Sequence, residues 1–429
     1  MGPAELTLVV LAFIAFFFVT EMIPLAMTAI LGAIAVGMLG IIPVGQVFSG
    51  LSNSNVTLFG GMFVIGAAMF HTGLAQIIGK KVVSVMGSSE NSLMASNMGI
   101  AATLSSVLSN TGTTACLMPV TIGICKEAKI PIRRQLMPLA FGAGLGGTIT
   151  LVGTPPNVIT ANALKAAGLQ PFGFFEFAWI GIPLTVVGIA YMLLFGKRFL
   201  PKDDVGLAGA DVDAAAAEEA TAKTHDTSKQ MLTGITLLVV IAVMALNIKQ
   251  LPLEVAAALG AVFLVLTKCI SEKDAYRGID WVTIFLLAGM MPVATALDRS
   301  GAGKMITNAV VGMMGGTPGP MTVMIVLFLL AVGLTQFMSN TAATALLAPI
   351  GLGIAKGLGA SPHAVLMAIC IAASCAFATP VGTPPNTLVL GPGGYRFMDY
   401  VKAGFGLIVV SMLVCVIVIP LVWPFFPGK

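Results

Sequence analysis

"GTPPN" stands at residues 153–157 and again at 382–386. A second phrase, "SNT", precedes each copy, at 109–111 and at 339–341. The spacing between the two phrases is almost the same in both places, so one block recurs in the same order half a chain later. Flanking segments align at nearly the same interval: "IPLAMTAILGA" (23–33) with "LPLEVAAALGA" (251–261), and "HTGLAQIIGKKVVSVMG" (71–87) with "RSGAGKMITNAVVGMMG" (299–315). Self-similarity on this scale means a duplicated structural unit.

The composition says in what solvent the unit sits. Charged residues are 9% of the chain, hydrophobic residues 57%, and the mean hydropathy is +0.99. Soluble domains carry roughly 25% charged residues. Apolar runs such as 6–22, 25–42, 231–248 and 404–423 approach or reach the ~20 residues that span a bilayer as a helix. A membrane β-barrel needs alternating strands of ~10 residues, and these runs are continuous. The expectation is an all-α polytopic membrane protein in contact with lipid. The first run does not read as a signal peptide, since Glu5 stands where a basic residue belongs. The net charge of +4 reports topology rather than a nucleic-acid partner. The six cysteines form no CxxC pair and read as small core residues.

Residues 197–230 are polar, charged and Ala-rich, a solvated linker between a first repeat (1–196) and a second (231–429). Spans are expected at 5–22, 25–42, 56–78, a re-entrant hairpin at 92–125, a broken helix at 136–164, and 177–196. The second half repeats them at 231–248, 253–267, 281–297, a hairpin at 320–355, a broken helix at 363–391, and 404–424. Five crossings per unit is an odd number, so the second copy inserts upside down. Inverted-topology repeats are a transporter architecture. With the linker placed in the cytoplasm, 16 of the 22 Lys and Arg fall inside and six outside, as the positive-inside rule demands.

The repeated phrases interrupt apolar runs. Ser, Asn and Thr are natural helix N-caps, so each "SNT" can start the second helix of a hairpin. Two adjacent prolines remove two N–H donors and the glycine relaxes the backbone, so each "GTPPN" breaks its helix. Unwound backbone at membrane depth is tolerated where it lines a cavity, and four such breaks should meet. The polar groups there are Ser109, Asn110, Thr111, Thr154 and Asn157, with Ser339, Asn340, Thr341, Thr383 and Asn386. Helix N-termini suit an oxyanion, and freed carbonyls suit a small cation such as Na⁺. No Lys, Arg, Asp or Glu adjoins a break in the sequence. A bound cation beside a bound anion strengthens both in low dielectric, which gives cation-coupled anion uptake a physical basis.

Other candidates read as structural. His71, His225 and His363 are isolated. Glu21, Glu176, Glu254 and Asp298 lie at expected interfaces, where capping or snorkelling is ordinary. Met290, Met291, Met313 and Met314 suit packing. "GAGLGG" (142–147) lacks the strand and lysine of a phosphate loop and suits close helix contact.

Two "SNT" hairpins, each followed by a "TPPN" broken helix, resemble the divalent anion/sodium symporter family of di- and tricarboxylate transporters. The resemblance covers nearly the whole chain, from "TEMIPLAMTAILG" (20–32) to "GTPPNTLVLGPGGYRFMDYVKAG" (382–404). It implies a homodimer in which each protomer has a scaffold and an elevator-type transport domain. It also implies a carboxylate site of Ser109, Asn110, Thr111, Thr154, Ser339, Asn340, Thr341, Thr383 and Pro384. One Na⁺ site would use Ser105, Ser109, Asn110 and the backbone at Gly153. Its counterpart would use Thr335, the Met338 carbonyl, Asn340 and Gly382. Ser105 and Thr335 each stand four residues before the "SNT" serine, one helical turn back on the same face.

Many members carry an extra helix before the first repeat. Ten spans and an outside N-terminus are therefore the expectation for this chain, in the cytoplasmic membrane of a prokaryote. The leading reading is Na⁺-coupled uptake of a C4-dicarboxylate or citrate. A Na⁺-independent dicarboxylate exchanger and a sulfate carrier stay open. A proton antiporter wants a buried acid near the breaks, and an intramembrane enzyme wants an activated nucleophile or a metal cluster; the sequence offers neither.

Overall fold

A computed structural model of the chain describes residues 2–20, 22–78, 89–201, 226–246, 250–313 and 319–426. Glu21, Lys80, Lys81, Lys202, Lys223, His225, Lys249, Met314, Lys429 and most of the linker lie outside the described residues.

All regular structure among the described residues is helical. The first half holds α1 (Pro3–Thr20), α2 (Leu25–Met38), α3 (Ser54–His71), α4 (Glu90–Ser105), α5 (Asn110–Ala128), α6 (Leu136–Gly146), α7 (Pro155–Ala166) and α8 (Ala178–Leu194). The second holds α9 (Thr227–Leu246), α10 (Leu253–Leu266), α11 (Glu272–Gly278), α12 (Trp281–Ser300), α13 (Ala302–Met313), α14 (Pro320–Thr335), α15 (Asn340–Gly357), α16 (Pro362–Ala373), α17 (Pro384–Leu390) and α18 (Phe397–Val422). Both "SNT" phrases fall at helix junctions, α4–α5 and α14–α15, and both "GTPPN" phrases open a helix, α7 and α17.

The helix starts follow from local chemistry. Ser109 and Ser339 cap α5 and α15, their hydroxyls accepting from Gly112 N at 3.0 Å and Ala342 N at 3.2 Å. Pro155–Pro156 and Pro384–Pro385 occupy the first turns of α7 and α17, where a missing N–H costs nothing.

The halves interlock. Helix α12 packs on α2, and α3 packs on α10. Glycine lets each crossing close. A Cβ on Gly289 of α12 would lie 2.6 Å from the Ala29 backbone, and one on Gly61 of α3 would lie 2.7 Å from the Ala257 backbone. Gly61 and Gly289 occupy the same position of the repeat, as do Ala29 and Ala257, so one contact is made twice with the partners exchanged. Gly142 of "GAGLGG" likewise brings α6 against the Met98 backbone of α4.

Helices α6 and α16, the first parts of the two broken helices, are buried almost throughout. The long α8, α9 and α18 instead expose apolar side chains such as Trp179, Leu238 and Leu421. Among the described residues, four helices are long and apolar enough to cross a membrane by themselves, and shorter apolar helices accompany them.

The isolated residues have structural partners. His71 lies 3.5 Å from Asp274. Glu176 accepts from Gly173 N at 2.8 Å and Trp423 Nε1 at 2.7 Å. Asp298 sits 3.9 Å from Lys356.

Candidate functional site

A cavity of about 400 Å³ lies where the four breaks meet. Ser109, Asn110 and Thr111 line it from one side, with Gly153, Thr154 and Pro155; Ser339, Asn340 and Thr341 line it with Gly382, Thr383, Pro384 and Pro385. Phe59, Met62, Phe63 and Phe70 of α3 form an apolar wall. Ser105, Thr335 and Met338 do not line the cavity; they are buried behind it.

Each junction is built the same way. Ser105 Oγ donates to Asn110 Oδ1 at 2.5 Å, and Thr335 Oγ1 lies 2.8 Å from Asn340 Oδ1. Thr335 Oγ1 is also 2.6 Å from the Ala373 carbonyl. These are neutral oxygens of hydroxyls, carboxamides and carbonyls, the donor set that suits Na⁺. The backbone approaches closely: a Cβ on Gly153 would lie 2.5 Å from the Gly147 carbonyl oxygen, and one on Gly382 2.6 Å from the Thr335 carbonyl oxygen. Any side chain at either glycine would push those oxygens apart.

The anion-attracting features follow from helix termini. The first-turn N–H groups of α5 and α15 have no intrahelical acceptor. Each of these helices presents about half a positive charge at its start, and both begin at the cavity. Prolines remove the first donors of α7 and α17, so Thr154 and Thr383 supply hydroxyls there instead. Neither makes a capping bond to its own helix.

Two sequence expectations are corrected. Asn157 and Asn386 are not cavity groups; both are fully buried within the breaks. Asn157 Nδ2 donates to the carbonyls of Gly147 (2.9 Å) and Thr150 (2.6 Å). Asn386 Nδ2 donates to those of Ala376 (2.8 Å) and Thr379 (2.9 Å). Each carboxamide thus satisfies carbonyls that the helix break frees. The second correction concerns charge. Asp280, which caps α12, lines the cavity, although no acid adjoins a break in the sequence. Its carboxylate accepts from Thr283 N at 3.1 Å and Thr283 Oγ1 at 2.5 Å. Among the described residues, no Lys, Arg or His lines the cavity.

Known proteins resemble the chain over most of its length. The citrate transporter family model matches residues 15–362 and 343–427. An uncharacterized transporter of Escherichia coli, YfbS, is 26% identical, with 95% of this chain and 97% of that protein covered. The sodium-dependent dicarboxylate transporter SdcS of Staphylococcus aureus is 26% identical, with 98% and 86% covered. Among solved structures, the Alcanivorax borkumensis YdaH transporter superposes with a TM-score of 0.61 at 17% identity, with 88% and 86% of the two chains covered. Neisseria gonorrhoeae MtrF superposes at 0.62 and 13% identity, with 100% and 97% covered. These two share the fold.

Proposed function

The chain belongs to the citrate transporter family, a family of membrane transporters and not enzymes, and on that premise we propose that it carries small di- or tricarboxylates into the cell together with Na⁺. The observation that supports this most is the cavity lined by both "SNT" tips and both "GTPP" breaks. It offers free helix N–H groups and hydroxyls to carboxylates, and neutral oxygens beside them to a cation. The dependence on sodium printed for SdcS, at 26% identity, points the same way.

In this reading Ser109, Asn110, Thr111, Thr154, Ser339, Asn340, Thr341 and Thr383 bind substrate carboxylates, with Pro384 shaping the wall. Ser105, Ser109, Asn110 and the Gly153 backbone take one Na⁺. Thr335, the Met338 carbonyl, Asn340 and the Gly382 backbone take the other. Sodium entering both cradles offsets the negative charge of the substrate, so a cavity without Lys or Arg can hold a dianion out of water. The two halves insert as inverted repeats, the hairpins and broken helices move as an elevator against a dimeric scaffold, and the linker lies on the cytoplasmic side of a prokaryotic inner membrane.

Labelled-succinate uptake into proteoliposomes tests the proposal, run with and without an inward Na⁺ gradient and with and without internal dicarboxylate. Uptake driven by Na⁺ into empty vesicles is expected. Uptake that ignores Na⁺ and needs internal dicarboxylate would make the protein an exchanger.

A further inference from the structure

The two cation cradles are built on matching letters but are not equally braced. In the second half the residue after Thr335 is Gln336, buried between the hairpin and the broken helix. Its side chain is fully used. Nε2 donates to the Val332 carbonyl in its own helix and to the Cys375 carbonyl in the break, both at 3.0 Å. Oε1 accepts from Ala378 N, also in the break, at 3.0 Å. Its main-chain carbonyl accepts from Thr379 Oγ1 at 2.6 Å, and that hydroxyl accepts from Gly382 N at 3.1 Å. A continuous relay therefore runs from the hairpin turn through Thr379 to Gly382.

The first half has Ser106 at the corresponding place, the residue after Ser105. Its hydroxyl folds back onto Thr103 of its own helix at 2.7 Å. The break closes on itself instead, with Ile149 N donating to the Gly146 carbonyl at 3.0 Å. Gly153 N bonds the Thr150 carbonyl at 3.3 Å rather than its hydroxyl. Thr150 Oγ1 to the Ser106 carbonyl is the one relay bond that the halves share. The tip follows suit: Ser109 and Thr111 are exposed, whereas Ser339 and Thr341 are half-buried.

We propose that Gln336 is a positioning residue for the second cation cradle, holding Thr335, Met338 and Gly382 in place before the ion arrives, so that the second cradle is preformed and the first is not. Preorganised donors lose less freedom on binding, and partners behind the ligands of a metal typically set its affinity by about 10-fold or more. The inference rests on the sodium-coupled reading above and deepens it by ranking the two cradles.

The test uses the purified full-length chain in detergent, without carboxylate. Its thermal unfolding midpoint is followed against NaCl, with choline chloride holding ionic strength constant. In the unsubstituted protein Na⁺ raises the midpoint saturably and choline does not. Gln336→Met keeps the length of the side chain and removes its polar bonds. It should shift the half-saturating Na⁺ concentration upward by about 10-fold. Thr379→Val, which cuts the relay, should shift it the same way, and Thr379→Ser should restore it. Ser106→Ala should leave it in place. A Gln336→Met protein that responds to Na⁺ like the unsubstituted one would overturn the proposal, as would an equal shift from Ser106→Ala. If Gln336→Met does not fold, the Thr379→Val and Thr379→Ser pair decides: equal half-saturating concentrations overturn the proposal. Equal responses to Na⁺ and choline in the unsubstituted protein would overturn the sodium reading itself, and the proposal with it.

Discussion

Arg133 and His363 occupy matching positions in the two halves, each near the start of a broken helix, and each pins the loop that follows the other half's broken helix. Arg133 donates from Nε to the Gly393 carbonyl at 2.8 Å and from Nη2 to the Gly394 carbonyl at 2.6 Å. It also lies 3.8 Å from Asp399 and sits over the Tyr395 ring. The Tyr395 hydroxyl donates back to the Arg133 carbonyl and accepts from Met137 N. His363 makes one such contact, Nε2 to the Gln170 carbonyl at 2.9 Å, and meets Phe172 edge-on. The acids beside them match as well. Asp399 accepts from Arg396 N and Glu176 from Gly173 N, three residues back in each case. Asp399 then faces an arginine, whereas Glu176 takes the Trp423 indole. The contact is retained where a loop must be held, while the side chain that makes it is free to drift. Letters stay fixed where a helix must start or break around polar backbone, as at "SNT" and "GTPPN".

That contrast can be broken by substitution. The largest effects should come from the break carboxamides, which are identical in the two halves. Asn157→Ala and Asn386→Ala each strand two buried carbonyls, at a cost of about 3 kcal/mol. Both should lower the detergent unfolding midpoint to a similar extent and abolish succinate uptake. Unequal losses would mean that one half carries the fold.

Next come the tips. Asn110→Ala and Asn340→Ala should each reduce the uptake efficiency for succinate by about 30-fold, the size of one lost bond to a charged group, and should raise the Na⁺ requirement together with it. Normal Na⁺ and succinate dependence in both would move the site elsewhere.

The loop braces should differ. Arg133→Ala removes charge-assisted bonds and strands Asp399, at a cost of about 2 kcal/mol, whereas His363→Ala gives up a single bond, about 1 kcal/mol. Thermal unfolding of the two variants checks the ranking, and a reversed order would contradict it.

The smallest effect belongs to Asp280, the one charged side chain among the described residues on the cavity wall. Asp280→Asn should lower the half-saturating concentration of a trianion such as citrate by about threefold, more than that of succinate, and the difference should fade as salt is raised. An unchanged ratio between the two anions would place Asp280 outside the path of the substrate.

The all-helical membrane class was legible because charged residues this sparse cannot cover a soluble surface, which is a matter of composition. The duplication was legible because "SNT" and "GTPPN" are demanded by backbone chemistry. The cavity lining was legible to the same degree: the phrases singled out in the sequence do come together. Asp280 was not, because it reaches the cavity through the packing of α12 against the other half, and sequence adjacency holds no record of that. Nor was the inward turn of Asn157 and Asn386, since a carboxamide next to a break can face a ligand or the freed carbonyls, and only the fold decides. The short helix α11 also escaped, because seven residues hold too few turns to show a period.

If both halves form one binding site, its stoichiometry is read by equilibrium binding of labelled succinate to the purified protein in saturating Na⁺. One succinate per chain is expected, its affinity weakened by about 30-fold for the whole population on either Asn110→Ala or Asn340→Ala alone. Two succinates per chain, or loss of only half the binding from each substitution, would contradict it.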